Sequence, residues 1–476
     1  MASPLTDQQL AASSPALSGD GAHVPLPEPA VPTQTPRRRV ANLDLLRALA
    51  ITLVIPVNLV GEGVLDVGPT ARAVFESGWV GVDLFFVLSG WLVGGLYWRE
   101  LGRFGSVQTG RFWARRWLRT IPPYVVALVA VYGLRAAFTA NADPFDWRYL
   151  AFVQNYTGTP YWPVSWSLCV EEHFYLALPI ALGLALRVRG GVPLLLGGAA
   201  LASLLARVLT VPDAAAPWGA QYVATHMRLE GLALGVAAAF VYHRRPDLWP
   251  GLRRLGTWLA LPGLAFVASV PWLPVDVLNR FAYAGVDLAF AAVLVAVVDR
   301  RTLPFAASRA VGALALTSYS VYMTHMVVAD VYRRVAVDAL PGVPLAVHAA
   351  GAIGAIGVVG GAFYAIVERP SLWLRRRVAP RRSDRPSPAL ADVTERTDPA
   401  ERGPLRNDDG RRHGLTVPLE RRVERAGPAE LEPADLAGVG VEHDDEGLAR
   451  GDVIEVERDR NTLGRAVHHE RTPHDA

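Results

Sequence analysis

The sequence predicts an all-α integral membrane protein of about ten transmembrane helices with both termini cytosolic. Three observations lead there. Apolar residues make up 51% of the 476 positions. They gather in runs of about twenty residues, the length that spans a bilayer. The arginines between those runs fall mostly on alternate loops, as the positive-inside rule requires.

The runs are residues 43–62, 79–97, 121–139, 168–187, 191–210, 228–243, 257–275, 281–299, 310–330 and 344–367. Arg37, Arg38 and Arg39 precede the first, and Arg99, Arg103, Arg111, Arg115, Arg116 and Arg119 lie between the second and third. Arg187 and Arg189, then Arg244, Arg245, Arg253 and Arg254, then Arg300 and Arg301, and last Arg375–Arg377 share one side if the runs number ten. Arg333 and Arg334 are the clearest exception.

The flanks read differently. Residues 1–40, rich in Pro, Ala and Ser, lack the basic-then-apolar order of a signal peptide and read as a disordered cytosolic tail. Residues 41–378 form the membrane domain. Residues 379–476 turn to Arg, Asp, Glu, Pro and Gly and read as a second, charged disordered tail. Its histidines (His413, His443, His468, His469 and His474) are scattered, so no metal site is expected of them. A net charge of +3 is too small to argue for nucleic acid, and every basic residue is arginine, as in a GC-rich genome. The single Cys169 excludes an intrachain disulfide and a Cys-rich zinc site, and it reads as a small buried side chain. No internal repeat supports an inverted-repeat transporter.

Polar residues inside the runs carry the functional reading, because such groups are costly in lipid and mark a site or a pathway. In the first run, Arg47 and Asn58 stand eleven residues apart, which places them on one helical face about 16 Å apart. The second run carries Asp83, which needs a partner or a proton, and Ser89-Gly90, read as a small pair for close helix packing. Arg116 and Arg119 share a face of a short amphipathic helix before Pro122-Pro123, and such forks bind phosphate. Glu171, Glu172 and His173 follow one another at the start of the fourth run, where a carboxylate or a neutral imidazole could serve as general base. His226 and Glu230, at i and i+4, are expected to stack on one face with Arg228 nearby. Ser318, Tyr319, Tyr322 and His325 fall within two turns of the ninth run.

The segments LDLLRALAITLV, GVDLFFVLSGWLVG, FWARRWLRTIPPY, WSLCVEEHFYL, THMRLEGLALGV, LTSYSVYMTH and FYAIVERP occur in that order over about residues 40–375. Together they resemble the acyltransferase 3 family of bacterial integral-membrane acyltransferases. The resemblance implies a ten-helix domain in the bacterial inner (plasma) membrane. It also implies acyl-CoA, acetyl-CoA first, as co-substrate and a hydroxyl of a carbohydrate or glycosylated acceptor as the receiving group. No metal is implied. Arg47 matches the family's first-helix arginine, Arg116 and Arg119 its RxxR pair, and Glu171 the glutamate of its WSLxxE motif. At position 58 the family usually has a histidine, and this chain has Asn58. The amide can orient a reacting group but cannot accept a proton near neutral pH. Arg47, Arg116 and Arg119 are therefore expected to hold the CoA phosphates. Glu171, His226 or His325 is expected to act as base, with Asn58 beside the reacting atoms. The competing readings are a member that binds acyl-CoA or a glycan lipid without transfer, and a transporter.

Overall fold

The structure, a computed structural model, describes residues 37–138, 144–158, 162–212 and 219–380, with side chains from residue 41 onward. The expected tails, apart from the residues next to the membrane domain, lie outside the described residues, and so do the five scattered histidines.

All regular structure among the described residues is helical. In order the helices are α1 (Arg37–Gly61), α2 (Pro69–Glu76), α3 (Val80–Phe104), α4 (Thr109–Phe138), α5 (Gln154–Thr157), α6 (Trp166–Ala185), α7 (Gly191–Thr210), α8 (Ala220–Val223), α9 (Glu230–Arg244), α10 (Trp249–Ser269), α11 (Val275–Val277), α12 (Tyr283–Val297), α13 (Arg309–Tyr332), α14 (Leu345–Phe363) and α15 (Arg369–Val378). Among the described residues nine helical segments are long and apolar enough to cross a membrane. The expected sixth run is α9, only 15 residues. It still crosses. Its first residue pairs with Arg207 near the end of α7, and Arg244 at its other end lies beside Gly102 near the end of α3. A 15-residue helix covers about 22 Å, short of the bilayer core by itself.

Contacts between helix ends put the arginine-rich loops on one face. Asn42 at the start of α1 bonds the backbone around Val297 and Leu303, just after α12. Trp249 at the start of α10 bonds Asp299. Arg115, early in α4, donates to the carbonyl of Ala379, past α15.

The packing is graded from centre to rim. α3 lies at the centre, with 94% of its apolar window buried, whereas α10 buries 11% and presents the rest outward. α3 packs most extensively on α9. Gly90 and Gly94 meet the α9 backbone at Leu232 and Val236, while Gly231 and Gly235 meet Phe86, Val87 and Gly90 in return. Two small-xxx-small faces let the backbones approach, which is how helices associate where lipid gives no hydrophobic drive.

Two expectations change here. The arginine pair sits on no short amphipathic helix. α4 runs unbroken for 30 residues through Pro122 and Pro123, as membrane helices tolerate when neighbours satisfy the freed carbonyls. His226 and Glu230 do not stack. His226 lies in a single turn, Thr225–Met227, and α9 begins only at Glu230. The break lets Arg228 and Glu230 turn inward to separate ionic partners.

Candidate active site

Helices α3, α4 and α6 bring one buried polar network together. α6 is entered through a turn at Pro163–Ser165 and begins at Trp166. Glu171 and Tyr175, at i and i+4, therefore face the same way. The hydroxyls of Tyr175 and Ser89 share a hydrogen bond. Both hydroxyls face Glu171, which is 1% exposed, yet neither of its carboxylate oxygens closes a hydrogen bond of good geometry. Glu172 accepts from Thr120 Oγ1 at 2.7 Å and leaves Oε2 without a partner. The Arg116 guanidinium lies 5.5 Å from the centre of the Tyr175 ring, acts on both carboxylates, and leaves one buried nitrogen without a partner. Buried polar atoms are rarely left unsatisfied, so these orphaned atoms mark spare capacity for a polar ligand. Two carboxylates, a guanidinium and hydroxyls at one point could move a proton and stabilise a developing oxyanion.

A second buried cluster joins α3 to α7, α9 and α12, and here two ion pairs form, although Asp83 Oδ2, Glu230 Oε2 and Asp287 Oδ1 have no hydrogen-bond partner. Asp83 accepts from Arg228 at 2.6 Å. The Arg228 guanidinium is ringed by Phe86, Trp166, Tyr222 and Tyr283, the last at 4.3 Å from the ring centre. Arg207 pairs with Glu230 and donates to the carbonyl of Met227. Asp287 lies against Gly231, in the field of both arginines. The partner that Asp83 requires is Arg228, two residues before α9 begins and freed for the role by the break at the helix start.

The expected phosphate-binding arginines are all buried, and each has a different neighbour. Arg47 pairs with Asp44 at 2.9 Å on its own helix. Arg119 pairs with Glu368 at 3.4 Å, and Glu368 also accepts from Ser320. Arg116 alone faces the Glu171–Glu172 network.

Asn58 and His325 approach one another in depth. Gly63, just past α1, lies against the Arg333 side chain just past α13, so these packed helices run parallel. Asn58 and His325 stand five and eight residues before those marks, within about one turn of each other in height. Asn58 donates its amide to Val54 O at 3.0 Å and leaves its buried oxygen without a partner. His325 Nδ1 bonds Tyr322 O at 2.7 Å, while buried Nε2 has no partner. With the proton on Nδ1, Nε2 is a free base. His226 is exposed, its ring parallel to that of Tyr156, with a Tyr156 hydroxyl contact to Nδ1 at 3.2 Å.

Sequence reasoning left out Ser89, Tyr175, Thr120 and Glu368. Gly90 is the packing residue expected of the Ser89-Gly90 pair, but Ser89 belongs to the polar network. The i, i+4 spacing of Glu171 and Tyr175 was the available signal for Tyr175. Ser89 and Glu368 fall within the segments GVDLFFVLSGWLVG and FYAIVERP, but their partners come from distant segments and appear only in the structure.

A family model described as an acyltransferase domain matches residues 40–367. Peptidoglycan O-acetyltransferase OatA of Listeria monocytogenes is 31% identical over 232 residues, covering 44% of this chain and 35% of that protein. O-acetyltransferase OatA of Staphylococcus aureus (strain NCTC 8325 / PS 47) is 27% identical over 226 residues, covering 43% of this chain and 35% of that protein. The matched part thus spans about a third of these relatives, 35% in each. No solved structure matches the chain. With its motifs in order and the family match running through nearly the whole membrane domain, the chain belongs to the acyltransferase 3 family of integral-membrane proteins.

Proposed function

We propose that the protein is an O-acyltransferase of the bacterial inner membrane, with its arginine-rich face and both termini in the cytosol. It moves an acyl group, acetyl first, from acyl-CoA to a hydroxyl of a sugar, polysaccharide or glycosylated metabolite. The observation that carries the reading is the buried Glu171–Glu172–Arg116 network, built from two motifs of the family and left with unpartnered oxygens and nitrogen. Glu171 takes the proton of the attacking hydroxyl, and Arg116 stabilises the charge on the thioester oxygen. Arg47 and Arg119 add positive charge for the CoA phosphates. His325, level with Asn58, is the alternative base, with the Asn58 oxygen accepting a hydrogen bond from a reacting group. His226, at the surface, is a further candidate for proton transfer.

The test is CoA release from acetyl-CoA by protein reconstituted in nanodiscs, with soluble glycan acceptors. Turnover that falls about a hundredfold or more in Glu171→Gln supports the reading. No CoA release by the wild type with any acceptor overturns it. Asn58 favours a second reading, a member that binds acyl-CoA or a glycan without transfer, since its amide is spent on its own helix. Thermal stabilisation by acetyl-CoA without turnover, and transfer gained in Asn58→His, would select that reading.

A further inference from the structure

We propose that Ser89 is a covalent acyl carrier, so that transfer proceeds through an acyl-serine on α3; the inference rests on the transferase reading above. Three features of the site converge on this one oxygen.

Ser89 stands near the middle of α3, fully inside the protein. A helical serine or threonine commonly turns its hydroxyl back onto its own helix. Thr52, Thr317 and Thr324 do so here, each to the carbonyl four residues earlier. Ser89 instead reaches across to the Tyr175 hydroxyl on α6. The same two hydroxyls face the Glu171 carboxylate. Arg116 lies over the Tyr175 ring with a nitrogen to spare. A nucleophile in contact with a hydroxyl, a carboxylate beyond it and a cation beside it is the arrangement of an activated serine. Gly90, the next residue, is pinned against the α9 backbone at Leu232, which fixes the stretch of α3 that carries Ser89.

The chemistry balances without another reactant. Ser89 Oγ adds to the thioester carbonyl while its proton passes, through the Tyr175 hydroxyl, to Glu171. Charge on the carbonyl oxygen develops toward Arg116. The C–S bond breaks, and the CoA sulfur leaves with the proton held by Glu171. An acceptor hydroxyl then gives its proton to Glu171 and attacks the ester. The bond between the acyl carbon and Ser89 Oγ breaks, and Oγ regains that proton from Glu171. The acyl group has moved, and Glu171 and Ser89 return to their starting states. This route needs no base at position 58, where an amide stands. It also lets CoA depart before the acceptor arrives, so the two substrates need not occupy the membrane interior together.

Isotope exchange tests the proposal. Reconstituted wild type is incubated with acetyl-CoA and labelled CoA in the absence of acceptor. An acyl-serine carrier returns label into acetyl-CoA; direct transfer gives no exchange. Acid-quenched protein given acetyl-labelled donor should carry the acetyl group on the peptide containing Ser89. Ser89→Ala should lose exchange, label and about a hundredfold or more of transfer. Ser89→Cys keeps the side-chain size and should carry the label as a hydroxylamine-sensitive thioester, which separates lost chemistry from lost fold. Wild-type turnover without exchange, label on Tyr175 or His325, or transfer by Ser89→Ala within a few-fold of wild type overturns the carrier and leaves the transferase reading standing. Absence of CoA release from the wild type overturns both.

Discussion

Asp83 and Ser89 lie on the same helix and are equally buried, yet they enter opposite kinds of surroundings. Asp83 belongs to a closed cluster in which Arg228 and Arg207 each hold a carboxylate and aromatic rings wrap the guanidinium. Ser89 belongs to an open network in which Glu171, Glu172 and Arg116 are close together without closing an ion pair among them. Charges that answer one another fasten α3 to α9, α7 and α12. Charges left partly unanswered keep capacity for something that binds. Burial alone does not distinguish the two, and both leave some polar atoms without hydrogen bonds; ion pairing distinguishes them.

The largest effect is expected in the closed cluster. Removing one partner, as in Asp83→Ala, strands a buried guanidinium and should cost about 3–5 kcal/mol, read from thermal unfolding in detergent. The double substitution Asp83→Leu with Arg228→Met should recover most of that loss, since a packed apolar pair often replaces a buried ion pair without cost. If the double variant is no better than the single, the cluster does more than fasten helices.

The open network should respond in activity rather than stability. Glu171→Gln should lower turnover about a hundredfold or more while shifting stability by less than about 1 kcal/mol. A large loss of stability there would place Glu171 in the structural class with Asp83. The two arginines of α4 should separate along the same line. Arg116→Gln should lower kcat by an amount worth about 1.5–3 kcal/mol, as for a hydrogen bond to a charged group lost from the transition state. Arg119→Gln should show in unfolding as well, because it leaves Glu368 buried without its ion pair.

Smaller effects test the scaffold. A Cβ at Gly90 would run into the Leu232 backbone, so Gly90→Ala should cost about 1–3 kcal/mol through overpacking. Outside the membrane, burial is the largest single influence on the Asp146 carboxyl and raises it, but the hydrogen bonds from the side chain and backbone N–H of Arg148, with its charge, together outweigh it and hold the group below its usual range. That depressed value contributes stability above the ordinary carboxylate pKa of about 4, and the contribution is lost as pH falls through the lower folded value. The Arg148 partner is largely exposed. Asp146→Asn should therefore change stability by no more than about 1 kcal/mol at neutral pH, with turnover unaffected.

The membrane helices were legible because each is a long apolar run, a property of contiguous residues. The exception marks where that signal fails. The 228–243 run reads as one helix beginning with His226 or earlier, but Arg228 and Glu230 are drawn toward Asp83 and Arg207, and helix α9 starts only at Glu230. Distant ionic partners outweighed local periodicity. In the candidate site, Arg116 and Glu171 stood out because charges within apolar runs are rare. Ser89 did not, because a serine beside a glycine in a membrane helix is ordinary until its neighbour is known. Arg119 stood out equally with Arg116, and only Glu368, 249 residues away, distinguishes them.

The sequence by itself determined the helical membrane architecture, the sharing of one face by the arginine-rich loops and the family, since each follows from local composition, loop charge or short motifs in order. Only the tertiary structure decided which buried charges cancel and which remain available. That outcome depends on which helices meet. Pairing energy in a low-dielectric interior depends on distances of a few ångströms between residues far apart in the chain. Local sequence carries the charges but not those distances.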